Sequence, residues 1–484
     1  MDEQSMEVLR LWSLGVGSVI GGDFFGWNSC LRGGFGAGVL SIIWAATLYF
    51  LLARCIGRLC TLLPKAQGSY SFVATGMGPQ YGAVVAACET VKLFWVLCAL
   101  AFGIVEYILE VVHIPHAWQY LVYGVLLMSF FGLGFMGVKT LGNYQILVTI
   151  SCLVVLMFYW ISVTTHMDFP KYATPDDEWF RSWDRVLESL PFGAWFFLGF
   201  EEIPLLVPHS LDTHKRTFVL KKGLVYSFAT VFSSCLLTFI LASGSNPGVA
   251  TLKSEEAPLV EGVESVYGDD SVEVTVFAVF SVLALLAPFC SFFLYCTYHL
   301  QEIAEAGMIP PVLATANHRL IPTHALCVTA IINFFLLSVF ALLFGIAKAA
   351  EVVIPGCLVA ALISAFLQLE SLRCLQEKAA ETPSSSATVS ETDFPQKKLL
   401  ETSGNSASVH FPIEDDITLF EIRFGQSIIG FILMCIIVLA CRNLAHRIGL
   451  SIVVVVLIGL NLLMRYSNSM SCSSNSEACG DDMM

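Results

Sequence analysis

The chain is short of charge. Only 13% of its 484 residues are Asp, Glu, Lys or Arg, about half the share usual in soluble domains. With 56% hydrophobic residues and a mean hydropathy of +0.74, this excludes the about three soluble domains that length alone would allow. The formal charge is −14, lying mostly in loops and tail, so neither nucleic acid nor a basic membrane-docking patch is expected. His-Glu-x-x-His and Gly-x-Ser-x-Gly are both missing, and no comparable constellation argues for an enzyme. The sequence has no Asn-x-Ser/Thr acceptor. Its sixteen cysteines show no metal-ligand spacing. Many sit in apolar runs, such as Cys152, Cys235, Cys290 and Cys435, where they act as small hydrophobes. The opening MDEQSMEVLR lacks a basic leader region, so the first apolar segment is expected to stay in the membrane as an anchor.

What is present is long apolar runs. A span needs about 20 apolar residues. Twelve stretches qualify: about 9–30, 36–60, 81–110, 117–137, 142–165, 187–208, 223–243, 273–298, 323–346, 350–372, 425–441 and 447–465. The expected fold is therefore an all-α integral membrane protein with about 12 transmembrane helices. With the N-terminus inside, sixteen Lys and Arg fall in cytoplasmic segments and eight in outer ones, which favours cytoplasmic N- and C-termini. Arg442 and Arg447 run against that assignment. Two outer loops, about 166–186 and 244–272, are acidic. The inner loop 374–424 is rich in Ser, Thr and Glu and is expected to be disordered, either as a tolerated insertion or as a phosphorylated regulatory segment. A cytoplasmic tail, 466–484, follows the last two helices.

Two of the apolar runs are interrupted. Gly15–Trp27 reads GVGSVIGGDFFGW. Each of its glycines weakens a helix by about 1 kcal/mol relative to Ala, and Asp23 near mid-membrane costs about 3 kcal/mol. Pro191–Pro208 reads PFGAWFFLGFEEIPLLVP, with Gly199, Glu201, Glu202 and Pro204 inside an aromatic run. Pro204 removes a backbone donor. Two broken spans, each heading a set of five, point to inverted five-helix repeats with a solute site near the midplane. The repeats run about 9–165 and 187–372 within a core of residues 1–372, and helices 11 and 12 (425–465) are appended.

Four stretches occur in an order that resembles the amino acid–polyamine–organocation transporter superfamily. They are Gly17-Ser-Val-Ile-Gly-Gly-Asp-Phe-Phe25, Leu63-Pro-Lys-Ala-Gln-Gly-Ser-Tyr70, Trp195-Phe-Phe-Leu-Gly-Phe-Glu201 and Ala304-Glu-Ala-Gly-Met-Ile-Pro-Pro311. The resemblance covers about 9–372. Gly22-Asp-Phe-Phe-Gly-Trp-Asn28 is similar to the ethanolamine-permease-type branch. The resemblance implies a leucine-transporter-type fold and a secondary active transporter of amino acids or small amines by alternating access. It implies no enzyme activity and no cofactor beyond a coupling ion, H⁺ or Na⁺, with the plasma membrane as the expected location. A sensor that kept the fold and lost transport is the alternative, permitted by the 374–424 loop.

For the site, an unwound first helix offers a new helix N-terminus at about Gly21–Asp23, where free amides favour an anion. Asp23 stands where the superfamily usually has Gly. It either contacts an amine or caps the following helix piece, or does both. The resemblance makes Gly21, Gly22, Asp23, Phe24, Trp195, Phe200 and Glu201 the substrate-binding set, with Trp195 as an outer-gate aromatic. Glu201 either braces the break or takes part in proton coupling. Glu202 either shares a buried proton with its neighbour or faces the inner vestibule. Glu89 and Lys92, three apart on one helix face, form either a mutual pair or part of an ion path. Ser291 is a candidate to complete a sodium site with carbonyls of the first helix. Some proton-coupled members carry a Lys in helix 5, where this chain is aligned with Ser151 or Cys152.

Overall fold

A computed structural model describes residues 3–111, 115–175, 179–207, 213–255, 257–268, 270–317, 321–381, 417–442, 448 and 450–459. Among the described residues the protein is all-helical apart from one isolated bridge between Met167 and Ser245. Its helices are α1 (Glu3–Val19), α2 (Gly21–Phe24), α3 (Phe35–Leu62), α4 (Ser69–Met77), α5 (Pro79–Val111), α6 (Gln119–Gly134), α7 (Val138–Thr164), α8 (Phe169–Tyr172), α9 (Trp183–Ser189), α10 (Thr213–Gly244), α11 (Val249–Leu252), α12 (Pro258–Tyr267), α13 (Val272–Glu305), α14 (Thr323–Phe344), α15 (Ile346–Glu381) and α16 (Leu419–Arg442). Tight 3-10 segments occupy Trp27–Gly33, Leu190–Phe196 and Phe200–Leu206.

Among the described residues, eight helices are long and apolar enough to cross a bilayer: α3, α5, α7, α10, α13, α14, α15 and α16. Counting the bent first segment as one span makes nine. The remaining expected spans fall short for identifiable reasons. α6 has only 16 residues. The 187–208 stretch is divided between α9 and two 3-10 segments. The last stretch is described as a short helix, Leu450–Gly459.

Burial separates inner helices from peripheral ones. On α7, Leu147, Ile150, Val154, Met157 and Ile161 are exposed, whereas Cys152, Leu156, Tyr159 and Val163 are buried. The first set recurs at three- and four-residue steps, so it forms one lipid-facing stripe. By contrast, α5 is buried along most of its length and packs against α4, α13 and α15. It is the inner post of the bundle.

The described ends of the expected inner loop are helical. α15 runs past 372 to Glu381, where Arg373 pairs with Glu377 at 2.5 Å and the Lys378 ammonium donates to Gly76 O at 3.0 Å. α16 begins before 425 because Thr418 and Glu421 form a reciprocal capping box. The Glu421 amide donates to Thr418 Oγ1 at 3.2 Å, and the Thr418 amide to Glu421 Oε2 at 2.8 Å. Both ends of the expected 374–424 loop are therefore helical. Residues 382–416, the expected disordered and regulatory stretch, lie outside the described residues, as do Arg447 and the tail 466–484. The two acidic loops, 166–186 and 244–272, contain α8 and the start of α9, and α11 and α12.

Both interrupted spans break at a glycine in the left-handed region. Gly26 has φ 83° and Gly199 φ 107°. At Gly26 the axis bends by 48° between Glu3–Phe24 and Trp27–Gly33. At Gly199 a Cβ would lie 2.5 Å from the Phe292 ring. Replacing Gly199 with Ala is expected to cost about 1–3 kcal/mol from backbone strain, increased by that clash. Gly78→Ala, also at positive φ but with nothing near its Cβ position, is the control for strain alone. Thermal unfolding in detergent should show a clearly larger loss for Gly199→Ala; equal losses would remove the close approach as a cause.

Candidate functional site

The two breaks meet. A Cβ on Gly22 would lie 3.0 Å from Trp195 O, and one on Gly26 would lie 3.2 Å from the Trp195 indole nitrogen. Glycine thus lets the first broken span approach the backbone of the second. Trp195 is half-buried over Gly26. Gly21 abuts α13, where its Cβ would meet Ala284 O at 2.7 Å.

Behind this junction lies a buried ionic cluster. Lys92 on α5 is fully buried. Its ammonium pairs with Glu89 at 2.6 Å, with Glu201 at 3.0 Å and with Glu202. Glu201 Oε2 also accepts the Gly199 amide at 2.9 Å. Glu201 therefore satisfies a backbone donor exposed by the break and ties the break to α5. Glu89 accepts a hydrogen bond from the Ser364 hydroxyl of α15. Next to it, the Gln368 amide donates to Ser364 Oγ at 3.2 Å and to Ser69 Oγ at 3.1 Å. Removing a charge from water costs several kcal/mol per ion, and good pairing geometry must offset it. Here one ammonium serves three carboxylates, each buried to within a few percent of its surface.

The expected site residues divide into groups. Glu89, Lys92, Glu201 and Glu202 come together: the expected Glu89–Lys92 pair forms and is joined by Glu201 and a buried Glu202. Asp23 does not join them. It is the third residue of α2, whose N-cap is Ile20, so Asp23 is not the cap. Its amide donates to Ile20 O at 3.1 Å and is not a free anion-binding donor. Its buried carboxylate lies near Ser234 of α10, whose hydroxyl donates to Val231 O at 3.1 Å. Phe24 packs against Phe277 of α13, with ring centroids 6.4 Å apart. Phe200 packs edge-on against Phe228 of α10 at 6.1 Å.

Ser291 also has a different setting from the one expected. The Gln145 amide of α7 donates to Ala287 O at 3.0 Å and to Ser291 Oγ at 3.2 Å, while Ser291 Oγ donates to Leu14 O at 3.4 Å. An amide N–H thus lies where a cation would need oxygen ligands, since a hard cation takes oxygen donors only. In this structure the Gln145 amide nitrogen occupies the position beside Ser291 Oγ and Ala287 O. The α7 side chain at this junction is Gln145. Thr149, one turn along, donates to Ser13 O at 3.1 Å.

Ser364, Gln368, Gln145, Thr149 and Ser234 were not singled out from the sequence. A signal existed for most of them. Ser364, Gln368 and Ser371 recur at helical spacing along one face of an apolar helix, as do Gln145 and Thr149, and polar residues inside spans face the bundle interior. His299 and Glu302 form a further buried group at the end of α13. Glu302 Oε1 accepts the Ser71 amide at 3.2 Å and the Ser71 hydroxyl at 2.7 Å, capping the first turn of α4.

An all-helical multi-pass protein in which broken spans meet beside buried charge has the build of a membrane transporter. The chain belongs to the amino acid permease family: the family profile described as "Amino acid permease" matches residues 6–372. It is therefore a membrane transporter of that family and not an enzyme. It is similar to an arginine/ornithine antiporter of Pseudomonas aeruginosa, with 24% identity over 365 residues, 70% of this chain and 73% of that protein. It is also similar to an uncharacterized transporter of Rhizobium meliloti, with 23% identity over 250 residues, 49% of this chain and 52% of that protein. The chain thus spans about half the length of the latter relative.

Two outcomes are expected. Lys92→Met should destabilise the protein by about 3–5 kcal/mol, because it leaves buried carboxylates without a counter-charge, against about 1 kcal/mol for Ser364→Ala. The fraction remaining monodisperse after heating measures both, and similar losses would show that Lys92 acts as packing. Uptake should also be unchanged when external sodium is replaced by N-methylglucamine, because Gln145 fills the junction of α1 and α13. A sodium requirement would refute that assignment.

Proposed function

We propose that the chain is a secondary active transporter of small amines or cationic amino acids, working by alternating access on a 5+5 inverted-repeat, leucine-transporter-type fold with two appended helices. The observation that carries this reading is the contact between the two broken spans at Gly22, Gly26 and Trp195, beside the Lys92 cluster. Broken helices at depth supply unpaired backbone groups to a solute while staying buried in protein. In this reading, α2 and the segment Phe200–Leu206 move against α5 and α13, and Trp195 closes the outer side.

The acidic balance of the interior supports a cationic solute. Asp23, Glu89, Glu201 and Glu202 are buried near the two breaks, with Lys92 their one ammonium among the described residues. The name of the Pseudomonas aeruginosa relative points the same way, as do the Gly22–Asn28 residues that resemble ethanolamine permeases. The plasma membrane, with both termini cytoplasmic, completes the proposal.

The test is labelled uptake into proteoliposomes of ethanolamine, polyamines, and cationic and neutral amino acids, under imposed ion gradients. Amines and cationic amino acids should accumulate in preference to neutral ones. Asp23→Asn should reduce uptake of amines more than of zwitterions. Equal loss for both classes would make Asp23 a structural partner of Ser234. Binding of a solute without flux would replace transport with sensing.

A further inference from the structure

We propose that the segment 179–185 is a phospholipid-binding surface: its aromatic rings lie in the interfacial layer of the bilayer, and Arg181 together with Arg32 holds a lipid phosphate. The segment reads Trp-Phe-Arg-Ser-Trp-Asp-Arg and leads into α9.

Trp183 is 75% exposed, Trp179 51% and Phe180 46%. A single exposed apolar side chain is ordinary, whereas three large aromatics in so short a stretch make a patch. Their place in the fold explains them. A Cβ on Gly36 would lie 2.6 Å from the Phe180 ring, so that ring covers the first turn of α3. Phe180 in turn stacks on Trp183, with ring centroids 6.5 Å apart. On the Gly36 face of α3, Leu40 and Ile43 follow at helical spacing, and Phe50 two turns later. All three are exposed and form the lipid-facing stripe of that helix. Phe180 and Trp183 therefore continue a stripe that lies in hydrocarbon to the point where the helix ends. Amphipathic rings at such a boundary sit at headgroup level. α9 itself packs against α3 and α16, at the edge of the bundle.

Charge supplies the second observation. The Arg181 amide donates to Gly33 O at 2.8 Å, so Arg181 and Arg32 leave from adjoining backbone. Arg185 is paired, with Glu188 at 2.9 Å. Among the described residues no carboxylate pairs with Arg181 or Arg32. Arg32 is exposed and its guanidinium lies over the Phe192 ring, 5.5 Å from the centroid. Two guanidinium groups without a counter-charge thus stand beside the aromatic patch, in a chain whose formal charge is −14. The Arg fork matches phosphate oxygens with parallel N–H bonds, and cationic side chains at a bilayer surface are drawn to that layer. A soluble anion would satisfy the arginines and leave the rings in water. A phospholipid satisfies both.

The surface is tied to both broken spans. The Gly36 amide donates to Trp179 O at 2.8 Å, and the Gly33 amide to Ser189 Oγ at 2.7 Å. The segment Leu190–Phe196 follows α9 directly. A lipid held at 179–185 therefore fixes one end of each broken span against the headgroup layer.

Tryptophan quenching in nanodiscs tests the rings. The Trp183 signal is the difference in fluorescence between the wild type and Trp183→Phe. Phosphatidylcholine brominated near the headgroup should quench it more than the same lipid brominated near the chain ends, and aqueous iodide should quench it least. Strongest quenching by iodide, or none by either lipid because a second copy covers the patch, overturns the membrane placement. Thermal unfolding of delipidated protein in detergent tests the phosphate. Phosphatidylglycerol should raise the midpoint of the wild type. The rise should be lost in the double variant Arg32→Gln, Arg181→Gln and retained in part when both are replaced by Lys. An equal rise in the glutamine variant overturns the phosphate contact, and an equal rise with inorganic phosphate alone replaces the lipid by a soluble anion. Neither measurement requires a transported solute, so both results hold if the transport reading fails.

Discussion

One lysine and three glutamates hold the centre of this protein. Lys92 lies on the most buried helix of the bundle and pairs with side chains more than a hundred residues away. Taken singly, each group would be costly at that depth. Taken together, they fix where the second broken span docks, because Glu201 spends one oxygen on Lys92 and the other on the amide of Gly199. The backbone disruption at Gly199 is thus stabilised by the same ion pair that positions it. Ser364, Gln368 and Ser69 extend the network to α15 and α4, so a single polar assembly connects four parts of the chain.

The glycines act on a different term. They do not bind anything through a side chain; they remove the distance between two backbones. Gly22 and Gly26 place the first break against Trp195, and Gly21 places it against α13. A bilayer forbids exposed backbone polar groups unless protein buries them, so two broken spans are tolerable only when they cover one another. This is why the disruption of one segment implies the disruption of the other, and why both have a left-handed glycine at the bend.

Much of this was legible in the chain itself. The breaks at Gly15–Trp27 and Pro191–Pro208 and the helical spacing of Glu89 and Lys92 follow from residue type and periodicity, and Glu201 as a brace of the break came from the resemblance. The directions of individual side chains did not. Asp23 looked like the residue facing the solute or capping α2; α2 is capped by Ile20 instead, and the Asp23 side chain lies near Ser234 on α10. Ser291 looked like a cation ligand, and its hydroxyl is engaged by the amide of Gln145. In both cases the deciding partner lies on another helix. Its approach depends on the rotation of two apolar cylinders about their own axes, which spacing along one of them does not encode.

The sequence by itself determined that the chain lives in a membrane, where its spans are interrupted and which family it belongs to. Those properties depend on local composition and short-range order, and the bilayer reads them directly. Only the tertiary structure decided that Glu202 joins Glu89 and Lys92, that Ser364 completes the group and that Gln145 fills the junction of α1 and α13. Buried polar groups take whatever partner the packing brings within about 3 Å, and that choice is made between helices far apart in the chain.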